Sequence, residues 1–363
     1  MTAPRHVKTL DSMRAISALV VFTSHLVQIF WLPLVGLKST LHTANNILSE
    51  SAVIVFFLLS GYLITMSIWK NIGVSGQFRV TEYAAARVAR IYPPLLCAIL
   101  VAAGVYFLVN AAGLPGGSTP LRHASDLYAA RDFLTISPAE VASALQMRGG
   151  LLQINGPLWS LYIEVQLYAA AGAAALALKG RTPFERVVGT AAFAALAYFL
   201  MRHNYLLYTA WWLLGAAFFL GQMTTNSRYL SSLVCAALSA AILYFTTASM
   251  TVETLRLGFM LGLAYLMFYA WEWKSPQLET IADFSYTLYL LHFPLIVLGY
   301  SAFLALQSAA PPTLEARIFA SLVTALIAFV TAKVLGQFAE NTQLFKRMIL
   351  STLQFGLRRL RVG

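Results

Sequence analysis

An all-α chain that crosses a lipid bilayer about ten times is the fold class predicted here, on three observations. Of 363 residues, 59% are hydrophobic and only 11% are charged, with a mean hydropathy of +0.70. Soluble domains run near 45–50% apolar and about 25% charged, and a soluble fold of this size lacks the polar surface to cover so much apolar side chain. The apolar residues fall in runs close to the ~20 residues that a helix needs to cross hydrocarbon. The basic residues segregate to one side of those runs. Together these exclude a soluble enzyme, a secreted disulfide scaffold and a disordered tail.

Taken in order, the runs are 12–34, 47–69, 91–112, 157–178, 187–202, 205–222, 230–248, 256–272, 284–306 and 317–338. The short basic start, Met1 to Lys8, leads into a run too long for a cleaved signal sequence and is not followed by a small-residue cleavage pattern. With the N-terminus inside, seventeen Lys and Arg fall on the cytoplasmic side, seven outside and only Lys333 within a span, so both termini are predicted to be cytoplasmic. The net charge of +11 is read the same way, as a topology signal and not as a nucleic-acid footprint. Residues 1–340 form one integral membrane domain and 341–363 a basic tail whose arginines suit anionic inner-leaflet lipid. The long connection 113–156, outside by this count, reads as a partly ordered loop. Cys97 and Cys235 lie in apolar runs with no C-x-x-C pair, and the six histidines are scattered, so neither a redox motif nor a metal site is expected.

Ionisable side chains inside spans are costly, and each one raises a functional question. In the first span Arg14 and His25 stand eleven residues apart, three helical turns, on one face with His25 about 16 Å deeper. Arg87 and Arg90 share a face at i and i+3, and Pro93 marks a helix boundary or kink. Glu164 lies two turns inside the fourth span and needs a partner, His25 or an arginine being the evident candidates. Ser285, Tyr289 and His292 form a polar stripe at i, i+4 and i+7, suited to line a carrier path or to join helices. Glu340 is placed to bridge to an arginine. An arginine that grips phosphate and an imidazole able to take a hydroxyl proton or carry an acyl group suit acyl transfer from a phosphorylated carrier. A transporter or flippase, whose polar residues would line a permeation path, is the alternative.

Five fragments in order resemble the acyltransferase-3 family of integral membrane acyltransferases. Leu10-Asp11-Ser12-Met13-Arg14-Ala15 through His25 resembles its Leu-Asp-x-x-Arg-Ala opening and Arg-x10-His motif, and Val55 to Ile64 its phenylalanine-rich second helix. Arg87 to Pro93 resembles its Arg-x-x-Arg motif, Trp159 to Glu164 its Trp-Ser-Leu-x-x-Glu segment, and Ser285 to Pro294 its late signature. Gln166 departs from the adjacent glutamates common in relatives. The resemblance implies transfer of an acyl group, commonly acetyl, from cytoplasmic acetyl-CoA or another acyl-CoA to a hydroxyl of an exported or cell-envelope glycan or lipid-linked sugar, in a bacterial inner membrane. A small hydrophobic acceptor such as a macrolide is the alternative within the family. By resemblance His25 is catalytic, with Arg14 and Glu164 beside it. Arg14, Arg87, Arg90 and Tyr92 would bind the donor, and Trp159, Tyr289 and His292 the acceptor. The chain resembles the stand-alone type, without an appended extracytoplasmic domain.

Overall fold

A computed structural model describes residues 7–36, 38–121, 132–202, 205–224, 275–307 and 313–362. Among them the regular structure is helical, with no strand. The helices are α1 (Val7–Phe30), α2 (Leu32–Val35), α3 (Thr40–Gly73), α4 (Val80–Ala111), α5 (Pro138–Leu145), α6 (Leu158–Lys179), α7 (Pro183–Arg202), α8 (Leu206–Thr224), α9 (Pro276–Ala282), α10 (Ser285–Leu306), α11 (Leu314–Ala339) and α12 (Thr342–Val362). Seven described helices are long and apolar enough to cross a bilayer, and the apolar stretch Leu206–Gly221 of α8 is slightly shorter. The expected spans at 230–248 and 256–272 lie outside the described residues. The protein is a multi-pass, all-α membrane protein.

Hydrocarbon leaves backbone polar groups no solvent partner, so each crossing segment closes its own hydrogen bonds as a helix. Two spans run longer than the apolar runs alone suggest. α3 extends to 34 residues and α4 to 32. α4 also passes through Pro93 and Pro94 without the boundary expected there. Proline removes a donor but leaves its own φ near the helical value, and α4 packs against α10 and α12. In the long connection, α5 is capped by Ser137, whose hydroxyl accepts from the Glu140 N–H at 3.2 Å, with Pro138 at its first turn.

Around α1 stand α3 and α10, which position the site; α3 also packs along α8, and α10 along α11 and α4. The α3–α8 crossing is backbone on backbone. A Cβ on Gly61 would sit 1.9 Å from the Trp212 carbonyl oxygen, and one on Gly215 2.0 Å from that of Leu58. Small residues let membrane helices approach this closely, and dispersion contacts then hold them. Trp212 secures the crossing by donating its indole N–H to the Ser60 hydroxyl at 3.1 Å. At the end of α1, buried Arg317 donates to the Phe30 carbonyl at 2.6 Å and lies 5.0 Å from the Phe303 ring centroid. A cation at a helix C-terminus satisfies an orphan carbonyl and opposes the helix dipole.

Candidate active site

Two cavities enter the helix bundle from opposite ends. Calling the end where α1 begins the near face, the near cavity is about 550 Å³ and the far cavity about 300 Å³. Both lie within the usual size range of small-molecule sites. Val53 of α3 and Tyr289 of α10 line both cavities, so the two meet at those side chains.

The near cavity is cationic. Arg14, Lys70, Arg79, Arg87, Arg90 and Lys346 line it, against the carboxylates of Glu82 and Glu164. These cations are committed to different degrees. Arg14 pairs with Asp11 at 3.3 Å and donates to the Ser285 hydroxyl at 3.1 Å and the Ala282 carbonyl at 2.9 Å. Arg79 pairs with Glu82 one turn on. Arg90 pairs with Glu340 at 2.8 Å and lies 5.0 Å from the Tyr286 ring centroid, while the other Glu340 oxygen accepts from the Thr287 N–H at 2.8 Å. Arg87, Lys70 and Lys346 have no carboxylate partner among the described residues. Arg87 lies between the rings of Tyr83 and Tyr168, 5.7 and 5.8 Å from their centroids, and donates weakly to the Ser67 hydroxyl at 3.4 Å. Its buried Nε and the buried Tyr286 hydroxyl have no hydrogen-bond partner among the described residues. An uncommitted guanidinium on a cavity wall is a ready anion-binding group.

In the far cavity the lining combines His25, Gln28, Asn46, Ser49 and Glu50 with the rings of Trp159 and Tyr208, which lie 5.1 Å apart. The His25 ring is held by α10. Its Nδ1 is 2.9 Å from Nε2 of His292, and the Phe293 ring stands edge-on at 5.3 Å. Between the cavities the Tyr289 hydroxyl meets Ser160 at 2.6 Å.

The structure therefore brings Arg14, Arg87, Arg90 and Glu164 to the near cavity, His25 and Trp159 to the far one, and Tyr289 to both. Three of the expected residues sit differently from what their spacing suggested. Glu164 is joined neither to His25 nor to an arginine by an ion pair: the Tyr168 hydroxyl one turn on donates to it at 2.6 Å. Being a turn and more deeper in α6 than the residues around Pro157, it faces the near cavity while His25 faces the far one. Tyr92 is absent from the near-cavity wall and donates to the Leu145 carbonyl at 2.9 Å; two residues past Arg90 is about 200° around the helix. His292 is fully buried and lines neither cavity, its contact being with His25.

Sequence reasoning missed Lys70, Arg79 and Lys346, which it counted as topology charges or lipid anchors, and the far-cavity polar groups of α3. Gln28 of α1 was missed as well, although its place three residues after His25 made it visible by helical spacing. Among the described residues no group of three His, Cys, Asp or Glu side chains is placed to hold a metal.

The class that the fold defines is a multi-pass helical membrane protein, with a cationic cavity on one side and a histidine in a polar cavity on the other. The family comparison is more specific. The Acyl_transf_3 model, described as an acyltransferase domain, matches residues 7–333, and the chain belongs to that family of membrane acyltransferases. Over 169 residues it is 32% identical to the Acyltransferase MdmB of Streptomyces mycarofaciens; the match takes in 46% of this chain and 38% of that relative. The chain thus spans well under half the length of the curated relative it matches. No solved structure matches it significantly.

Proposed function

We propose that the protein is an acyl-CoA-dependent O-acyltransferase of a bacterial inner membrane. The donor occupies the near cavity from the cytoplasm, and an acceptor hydroxyl occupies the far one. The observation that carries this reading is the pair of cavities, one cationic and one polar-aromatic, meeting at Val53 and Tyr289 with Arg14 on one side and His25 on the other. Phosphate groups favour guanidinium and ammonium partners, and Arg87, Lys70 and Lys346 are the near-cavity cations with no carboxylate partner among the described residues. The positive-inside count supports the cytoplasm as the side of these residues.

In the reaction, the acceptor oxygen bonds to the thioester carbonyl carbon and the carbon–sulfur bond breaks. His25 takes the hydroxyl proton as general base and returns it to the departing CoA thiolate. Rings such as Trp159 and Tyr208 beside amide, hydroxyl and carboxylate groups suit a sugar unit, whose faces are apolar and whose rim is hydroxylated. We therefore favour an exported glycan or lipid-linked sugar over a large hydrophobic acceptor.

The test is CoA release from acetyl-CoA by purified protein in detergent, with and without candidate glycans, wild type beside His25→Ala. Glycan-stimulated release by the wild type and none by the variant is expected. Full release by His25→Ala would overturn the assignment of the base. Solute movement in vesicles with no thioester cleavage would favour a transporter.

A further inference from the structure

We propose that Ser160 and Tyr289 act as one hydroxyl pair that hydrogen-bonds the thioester carbonyl oxygen of the acyl donor and stabilises the negative charge it gains during transfer. This rests on the function proposed above and names the groups that receive the charge.

The assignment follows from counting protons at three oxygens. The Ser160 and Tyr289 hydroxyls are 2.6 Å apart, so one donates to the other. The Pro157 carbonyl oxygen stands 3.3 Å from each of them. Ordinary O–H···O bonds run from about 2.5 to 3.0 Å. The short contact uses one of the two protons, and the second has only a carbonyl beyond that range. Whichever hydroxyl donates within the pair, one O–H is left for a better acceptor. An oxygen carrying negative charge is such an acceptor. The short bond also polarises the remaining O–H, because hydrogen bonds in a chain strengthen one another.

Position points the pair at the donor. Both side chains line the near cavity, and Tyr289 lines the far cavity as well. The pair therefore stands where the cavities meet, on the donor side, while His25 lines the acceptor side. An acceptor hydroxyl arriving from the far cavity leaves the carbonyl oxygen to face the pair. Ser160 lies in the first turn of α6, where the helix dipole favours an anion. The Phe56 ring stands against Tyr289 at 5.2 Å, and both members of the pair are buried. Donors fixed in this way need no reorganisation as charge develops.

As the acceptor oxygen bonds to the carbonyl carbon, the carbonyl π electrons move onto its oxygen, and the bond from the pair strengthens. Those electrons then re-form the carbonyl while the carbon–sulfur pair leaves with sulfur as thiolate, which takes its proton from His25. The pair itself gives up no proton.

Tyr289→Phe and Ser160→Ala each leave one hydroxyl, whereas the double variant leaves none and keeps the aromatic ring. With purified protein in detergent, we expect kcat for CoA release to fall less than about 10-fold in each single variant and about 1000-fold in the double, beyond the product of the singles. Binding of acetyl-CoA should stay within about 3-fold of wild type, because the bond is strongest in the transition state. Infrared spectra of acetyl-CoA carrying carbon-13 at the carbonyl read the hydrogen bond itself. The carbonyl band should move to lower frequency on binding to the wild type, return partly in Tyr289→Phe and return fully in the double variant. A band that is the same in wild type and variants overturns the proposal, as does an undiminished kcat in the double variant. Loss of acetyl-CoA binding in step with kcat would assign the hydroxyls to packing and overturn it too. A wild type that binds no acetyl-CoA would end the donor reading and this one with it. Binding and cleavage with an unmoved band would end this one alone.

Discussion

Arg87 and Arg90 share one helical face and one cavity yet differ in what they are free to do. Arg90 is spent on Glu340, which also holds the Thr287 N–H; Arg87 has only aromatic faces and a long bond to Ser67. Arg87→Ala is expected to raise KM for acyl-CoA by about 10- to 100-fold, the value of one charge-assisted hydrogen bond, with little change in thermal stability. Glu340→Ala strands Arg90 and leaves the Thr287 N–H unpaired, and should cost about 3 kcal/mol, read as a lowered midpoint of thermal unfolding in detergent. If Arg87→Ala unfolded the protein and Glu340→Ala were innocuous, this division of labour would be wrong. The spacing of Arg87 and Arg90 was legible in the sequence. Glu340 was expected to meet an arginine, but which of the two was not legible, because that carboxylate lies 250 residues away from Arg90 in sequence.

For the helices, legibility followed the nature of the forces. Spans and their order come from local apolar runs, and the described helices follow those runs closely enough that each span between 12–34 and 205–222 has its counterpart. Helix crossings come from shape. The α3–α8 crossing depends on the absence of a side chain at Gly61 and Gly215. Gly61→Val should force the helices apart and lower yield and thermal stability. Leu100→Ala, at an exposed position of α4, is the control and should change little, as size-exclusion profiles in detergent would report. An unaltered profile for Gly61→Val would mean that the crossing is looser than the structure has it. Continuation of α4 through Pro93 and Pro94 is likewise tertiary: flanking helices impose what the local backbone disfavours.

At the scale of the whole molecule, the two cavities meet at Val53 and Tyr289, which is where the transfer proposed above would cross from near to far side. Val53→Phe adds bulk there and is expected to leave acetyl-CoA binding within about 3-fold while reducing glycan-dependent CoA release at least about 10-fold. Equal loss of binding and turnover would place the donor elsewhere. α12 joins this picture by contributing Lys346 to the near-cavity wall beside Thr342, so the C-terminal helix helps to close the site.

By itself the sequence determined the class, a helical membrane protein, because bilayer partition depends on composition within each run of about 20 residues. Five motif fragments also pointed to the family, and periodicity placed Arg14 and His25 on one face of a single helix. The tertiary structure alone decided which groups meet: His25 with His292, Arg90 with Glu340, Glu164 with Tyr168, and Lys346 with the near cavity. Most of these pairings join separate helices, and the positions of separate helices are set by how their surfaces fit, which no local pattern encodes.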